Sequence, residues 1–211
     1  MSLGKQGVLL VVAGPSGVGK GTIVDRVLER HPEVRRSVSC TTRGPRPGEV
    51  DGRDYFFVTP AVFDHMRQTG DLLEWAVVHQ DLLYGTPRQP VEEALADGRD
   101  IILEIDYQGA RSVRSLMGER ATLVFVAPPT WQDLIKRLRQ RSTESEEATH
   151  KRLASAIHEL AHVEIFEYFV INGHLETAVA ELEAILLAER QRAARVDWQP
   201  LVEGLLKEAG Q

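Results

Sequence analysis

Four stretches of the chain are almost wholly apolar and too short for anything but buried strands. Val8–Ala13 reads VLLVVA, residues 100–106 read DIILEID, 121–129 read ATLVFVAPP and 166–172 read FEYFVIN. Unbroken apolar runs rich in β-branched residues suit strands covered on both faces, as in a parallel sheet. Pro128 and Pro129 stop the third run, and an Asn-Gly turn ends the fourth. Between the runs the spacing changes to that of helices. Ile23, Val24, Val27 and Leu28 form one stripe over Lys20–Arg30, ended by Pro32. Further helices are expected over Pro90–Asp97, Gly109–Leu116 and Trp131–Leu160. The last of these is interrupted near 141–145, where RSTES is polar and poor in helix formers. Leu175, Val179, Leu182, Ile185 and Leu186 share a face of a helix over His174–Arg195, and a short helix follows Pro200. Strands alternating with helices predict an α/β doubly wound domain with a mostly parallel sheet. Ligands of such sheets sit at the carboxyl ends of the strands, where Gly14, Asp106 and Pro128 fall.

Residues 37–88 break the pattern. They contain RGPRPGEVDGRDYFFV, a short helix near Ala61–Gln68, then LLEWAVV and the expected loop HQDLLYGTP. This reads as a small mixed insertion, not a βα unit.

Composition narrows the setting. The chain has 211 residues, 43% hydrophobic and 27% charged, ordinary for a globular protein. No apolar run reaches the roughly 20 residues of a membrane span. The N-terminus MSLGKQG lacks the long apolar core of a signal peptide. With Cys40 the only cysteine, no internal disulfide forms, and a reducing cytoplasm is the expectation. The net charge of −6 argues against general nucleic-acid binding. An anionic ligand therefore needs local positive charge. Arg43, Arg46 and Arg53 supply one cluster, and Lys136, Arg137, Arg139, Arg141, Lys151 and Arg152 another.

The segment Gly14–Thr22, GPSGVGKGT, joins the first strand to the first helix. Gly14, four residues and then Gly19-Lys20 make the phosphate-loop pattern. Gly14, Pro15, Ser16, Gly17, Val18, Gly19, Lys20, Gly21 and Thr22 supply the loop and its exit, and the N–H groups of all but the proline are available for an anion nest at a helix N-terminus. Lys20 is the mobile cation for the β- and γ-phosphates. Gly21 stands where the commonest form has a hydroxyl, with Thr22 one residue on. Mg²⁺ is therefore expected mainly on phosphates and water, with Thr22 a candidate direct contact and no metal ligand assigned. The loop leans away from switch GTPases and toward nucleotide-phosphorylating kinases, which are similar in carrying GKG.

SCTTRGPRPGEVDGRDYFFV resembles the guanylate kinase signature, as do LLEWA, YGT, LEIDYQGA, RLRQRSTESEEATHKRL and VING. The resemblance runs to about Arg190. It implies a P-loop kinase fold in which residues 1–36, 89–130 and 153–211 form the core. It further implies that 37–88 bind GMP, that 131–152 form a lid, and that the reaction is ATP + GMP ⇌ ADP + GDP with Mg²⁺. By that resemblance Arg43 and Arg46 hold the GMP phosphate with Tyr55 and Tyr84. Glu74 reads guanine, Ser39 and Thr86 lie near the base, and Glu104 and Asp106 form an acidic pair on one face of a strand. Arg137, Arg141 and Arg152 serve the transferring phosphoryl group together with Lys20 and Arg43, and Asn172 lies near adenine.

The chemistry agrees with that reading. Guanine presents N1–H and N2–H₂ side by side, and one carboxylate accepts from both. Adenine leaves such a buried carboxylate unpaired, which sites of this kind reject strongly. Taken singly, the same residues have plainer explanations: solvated loop arginines, strand aromatics, a strand-edge carboxylate, a turn asparagine. Between Glu74 and Tyr84 the chain departs from the family pattern, with WAVVHQDLL one residue longer than expected and Tyr84 alone of a usual tyrosine pair. Two other functions fit parts of the pattern: an adenylate-kinase-like enzyme, and a guanylate-kinase-like interaction module without catalysis. His158 and His162 lie one helical turn apart, but no third metal ligand accompanies them. Oligomeric state is not legible.

Overall fold

Alternation along the first apolar run places Val8, Leu10 and Val12 on one side of the sheet and Leu9, Val11 and Ala13 on the other, and both sets are fully buried. Both faces must therefore be covered, and helices do so. The computed structural model describes residues 5–78, 82–140 and 146–210, with the backbone alone at 78 and 146–151. In chain order the elements are β1 (Leu9–Ala13), α1 (Lys20–Arg30), β2 (Arg35–Arg36), β3 (Cys40–Thr41), β4 (Phe56–Phe57), α2 (Pro60–Thr69), β5 (Leu72–Val78), β6 (Leu82–Pro87), α3 (Arg88–Ala96), β7 (Ile101–Glu104), α4 (Tyr107–Met117), β8 (Ala121–Ala127), α5 (Trp131–Gln140), α6 (Glu146–Leu160), β9 (Tyr168–Ile171), α7 (Leu175–Glu189) and α8 (Gln199–Glu208).

The main sheet is five-stranded, in the order β2-β7-β1-β8-β9. All its pairings are parallel, with Leu9 opposite Ile101 on one side and Ala121 on the other. On one face Ile23, Val24 and Val27 of α1 meet Ala178, Val179, Leu182 and Leu186 of α7. On the other, Val91, Ala94 and Leu95 of α3 meet Ala110, Val113 and Met117 of α4. Fully burying each valine, leucine, isoleucine or methionine of these sets stabilises by roughly 1.5–3 kcal/mol. The expected α/β architecture with a parallel sheet is thus present. The short edge strand β2 was not expected, since two exposed arginines carry no apolar signal.

Residues 37–87 form a second sheet, in the order β4-β3-β6-β5, over a small core of Cys40, Phe63 and Leu72. The sequence reading placed Tyr84-Gly85-Thr86-Pro87 in a loop; here they lie in β6, paired antiparallel with β5 so that Thr86 faces Glu74. Residues 79–81 of the departing segment lie outside the described residues.

The helix expected to reach Arg195 ends at Glu189. Beyond it Arg195 folds back and is buried against Glu189 and Thr122, with guanidinium contacts of 3.2 and 3.1 Å. The start of the tail therefore packs on the core, while α8 buries none of its residues. Among the described residues, no helix is long and apolar enough to cross a membrane.

Candidate active site

The phosphate loop turns between β1 and α1. Gly14, Gly17 and Gly19 all take positive φ. At Gly19 (φ 98°) the reason is also spatial, because a Cβ there would lie 2.5 Å from the side-chain nitrogen of Asn172. Gly19 gives α1 no side-chain cap, and the first turn holds no acidic residue. The leading N–H groups and the positive end of the helix dipole are thus left to an anion. Lys20 folds over the loop, its Nζ donating to the carbonyls of Gly14 at 2.5 Å and Pro15 at 3.3 Å. Thr22 is exposed.

Glu104 ends β7 exposed at the carboxyl edge of the main sheet. Its carboxylate oxygens lie 3.4 and 3.5 Å from where a Cβ on Gly21 would stand. Gly21 therefore leaves open the space beside a carboxylate, which is the structural counterpart of the missing hydroxyl. Asp106 departs from expectation. It lies beyond the strand and is the N-cap of α4, accepting from the Gly109 N–H at 2.8 Å. The chain has left the strand after Glu104, so alternation does not set the Asp106 side chain, and the pair is not a strand-face pair.

Facing this edge, the small sheet carries the second group. A cavity of about 270 Å³ is lined by Ser39, Tyr55, Thr86 and Glu104 among others. Glu104 thus belongs to the surroundings of both the phosphate loop and this cavity. Glu74 is buried, and its Oε1 accepts from the Thr86 hydroxyl at 2.6 Å. Burial pushes its pKa up to about 7, against the Thr86 hydrogen bond, and the nearby Asp106 charge raises it further. On α4, a Cβ at Gly109 would come within 3.1 Å of Glu74 Oε2. The approach of the helix to the carboxylate thus leaves little room for a side chain at Gly109.

Arg43 is enclosed by aromatic rings. Its guanidinium lies 5.4 Å from the Tyr55 ring centre and 5.7 Å from that of Phe57, and Nε donates to the Tyr84 hydroxyl at 3.1 Å. Tyr55 and Tyr84 meet edge to face. Burial raises the Tyr55 pKa, so the ring stays a neutral donor at physiological pH. Of the three arginines clustered in sequence, Arg43 and Arg46 both act on Glu49 and Tyr55, and Arg53 does not join them. Arg53 pairs with Asp54 at 2.9 Å, and Arg46 is exposed.

On the other side of the phosphate loop, Arg137 of α5 donates to the carbonyls of Val18 at 2.9 Å and Asn172 at 2.8 Å. Asn172, just after β9, also donates to the Val18 carbonyl, at 2.8 Å. Arg152 of α6 donates to the Ser16 hydroxyl at 2.7 Å. Arg141 lies outside the described residues.

Two residues of this neighbourhood escaped the sequence reading. Glu49 grips Arg43, and no apolar pattern marks it in its Pro/Gly-rich loop. Glu159 of α6 is buried, with one carboxylate oxygen lacking a hydrogen-bond partner among the described residues. Burial raises its pKa, while the Lys20 charge opposes the rise. Its signal was available: Glu159 follows buried Ala156 by three residues, on the covered face of its helix. His158 and His162 stack on each other, and both meet the Tyr107 ring at a tilt. Among the described residues no group of three or more His, Cys, Asp or Glu is placed to hold a metal.

The family model described as guanylate kinase matches residues 6–189. A guanylate kinase of Nocardia farcinica is 50% identical over 189 residues, covering 89% of this chain and 97% of that protein. One from Carboxydothermus hydrogenoformans is 46% identical over 199 residues, covering 94% and 97%. The crystal structure of guanylate kinase from Anaplasma phagocytophilum superposes with a TM-score of 0.77 at 32% identity, covering 96% of each chain. With this fold, two facing groups of site residues and relatives similar over nearly their whole length, the chain belongs to the guanylate kinase family.

Proposed function

We propose that this guanylate kinase binds ATP on the Gly14–Thr22 loop and GMP between the two sheets, and that Glu74 is the residue that selects guanine. The buried Glu74 carboxylate carries the reading. Its Oε1 already accepts from Thr86, and its pKa of about 7 lets it ionise when a partner offers donors. Guanine offers two, N1–H and N2–H₂, whereas adenine would leave the charge buried without a partner. Ser39 and Thr86 supply hydroxyls beside the base, and Arg43, Arg46, Tyr55 and Tyr84 bind the phosphate. Arginine suits that role because its fork binds phosphate oxygens bidentately.

The GMP phosphate is itself the nucleophile, so the protein aligns and neutralises rather than abstracts a proton. Lys20 and the loop N–H groups hold the donor phosphates. Arg152, already at the loop through Ser16, and Arg141 bring charge to the moving group. Residues 131–152 act as the lid, 37–88 as the GMP-binding part and the rest as the core; closure excludes water that would otherwise hydrolyse ATP.

Mg²⁺ fits this site as a metal carried by the triphosphate. The open space at Gly21 is bordered by the Glu104 carboxylate, a hard oxygen donor, and Thr22 is exposed beside it. When bound, the ion neutralises charge on the β- and γ-phosphates. A cytoplasmic setting agrees with the single, buried Cys40. Neither nucleic acid nor membrane is part of the reading.

The experiment is an acceptor screen: ADP formation from ATP with GMP, AMP, UMP or CMP. Turnover with GMP far above the others is expected. Comparable turnover with AMP would remove Glu74 as the selecting residue, and no turnover with any acceptor would point to a binding module.

A further inference from the structure

The Val18 carbonyl is fully within the protein and carries two side-chain donors, Arg137 Nη1 at 2.9 Å and Asn172 Nδ2 at 2.8 Å. They come from α5 and from the end of β9, which are far apart in sequence. The two donors are also tied to each other. Arg137 Nη2 donates to the Asn172 carbonyl at 2.8 Å, and the Asn172 N–H donates to the Ala127 carbonyl of β8 at 2.9 Å. A carbonyl is an acceptor only, so the amide nitrogen of Asn172 is the atom that must face it. The next residue, Gly19, has φ 98°, and a Cβ there would lie 2.5 Å from that amide nitrogen. The left-handed turn and the approach of Asn172 thus require the same missing side chain.

We propose that Arg137 and Asn172 are positioning residues of the phosphate loop: by holding the Val18 carbonyl on the protein side, they keep the loop's N–H groups facing the donor phosphates. An anion nest works only when successive N–H groups converge and the carbonyls between them point elsewhere. A peptide that swings its oxygen toward the nest puts a negative dipole end against a triphosphate. Two donors on one carbonyl fix the peptide plane at the point where the loop enters α1. Through its Nδ2 this gives Asn172 a role at the phosphates. It places Arg137 one step away from the transferring group, acting through the loop. It also ties α5, the first half of the lid region, to the shape of the cradle. The inference rests on the phosphate loop being the triphosphate site.

The test uses a ligand with no base. Calorimetry with inorganic tripolyphosphate, ATP, GTP and GMP is run on the whole chain and on Asn172→Ala, Arg137→Ala and the double variant, with melting temperatures alongside. Asn172→Ala is expected to weaken tripolyphosphate, ATP and GTP by a common factor of roughly tenfold, leaving GMP unchanged. The double variant is expected to lose less than the product of the single losses, since both donors serve one carbonyl. Loss of ATP affinity with tripolyphosphate binding intact would make Asn172 a base contact and overturn the proposal. So would weakening of all ligands, GMP included, together with a lowered melting temperature, or single losses that multiply in full. If the unaltered chain binds no tripolyphosphate, the phosphate-loop reading itself fails, which is a separate outcome.

Discussion

The carboxylate of Glu49 takes both terminal nitrogens of Arg43, at 2.8 and 2.9 Å, and the same carboxylate accepts the Arg46 N–H at 2.7 Å. Two planar oxygens on a guanidinium fork, with a backbone N–H completing the site, is the arrangement a phosphate would make. The pairing holds the Glu49 pKa down to about 2 and raises that of Arg43. A depressed carboxylate pKa contributes stability that is present above the unfolded value and lost only as pH falls through the folded one. The pair therefore stays ionised throughout the neutral range.

Arg43 cannot give the same fork to Glu49 and to the GMP phosphate. Glu49→Gln keeps the shape and an acceptor for the Arg46 N–H, but removes the competing charge. GMP is expected to bind a few-fold tighter to this variant, with ATP affinity unchanged, as read by calorimetry at fixed ionic strength. Weaker GMP binding would mean that Glu49 holds Arg43 ready for the phosphate instead of standing in its place.

Glu74 gives a pH signature. Its pKa of about 7 lies above the ordinary carboxylate value, so the folded state binds the proton more tightly than the unfolded chain. Its contribution to stability is full below the unfolded value and declines as pH rises toward about 7. Above that, Glu74→Gln should melt higher than the parent, by up to about 3 kcal/mol in stability. Binding runs the other way, because guanine needs the ionised acceptor: GMP affinity should climb with pH through about 7. The GMP phosphate titrates near 6, and that component should persist in Glu74→Gln while the upper one disappears. The groups facing Glu74 are Thr86, Asp106 and Cys40, and burial pushes the Cys40 thiol up to about 11, out of this window. A parent enzyme with the same pH profile as Glu74→Gln would remove the assignment.

Lys20 meets the phosphates directly in the proposed function. Lys20→Ala should lower kcat/KM by several kcal/mol of transition-state stabilisation, shown by initial rates, with GMP binding unchanged. Near-normal rates would release Lys20 from that role. In the structure its Nζ rests on loop carbonyls, so the group must re-aim when phosphate arrives.

The parts legible in the sequence are those where local pattern and tertiary setting agree. Helix α1 spans Lys20–Arg30 as its apolar stripe predicts, because the loop glycines fix its start and Pro32 its end. The parallel strands show as apolar runs because both faces are buried. Strand β6 hid because Gly85 and Pro87 signal a turn, and only pairing with β5 makes them strand. Asp106 hid behind alternation that stops two residues before it. Among site residues, the motif gave Lys20 of the phosphate loop, and the resemblance gave Arg43, Glu74 and Thr86, which lie together in the second sheet and its loop. Neither said anything of Glu49 or Glu159, whose partners are set by folding rather than spacing. Asn172 was legible as a turn residue, while its contact with Val18 spans 154 positions of chain.

Gly109 offers a test in which stability and function part company. It lies in the first turn of α4, and a Cβ there would stand 3.1 Å from Glu74 Oε2 and 3.2 Å from the Ile105 side chain. Alanine in a helix is favoured over glycine by roughly 1 kcal/mol, which offsets the crowding against Ile105 in whole or part. The melting temperature of Gly109→Ala should therefore stay near that of the parent. The methyl group nonetheless pushes on the carboxylate that reads guanine, and small displacements of a positioned group are costly. GMP binding is expected to weaken by roughly tenfold, within the range of a disturbed bidentate contact, with ATP binding unchanged. Calorimetry beside a thermal melt separates the two effects. Unchanged GMP affinity would show that the carboxylate has room to retreat and still meet the base; a large fall in melting temperature with normal affinity would place the crowding on Ile105 instead.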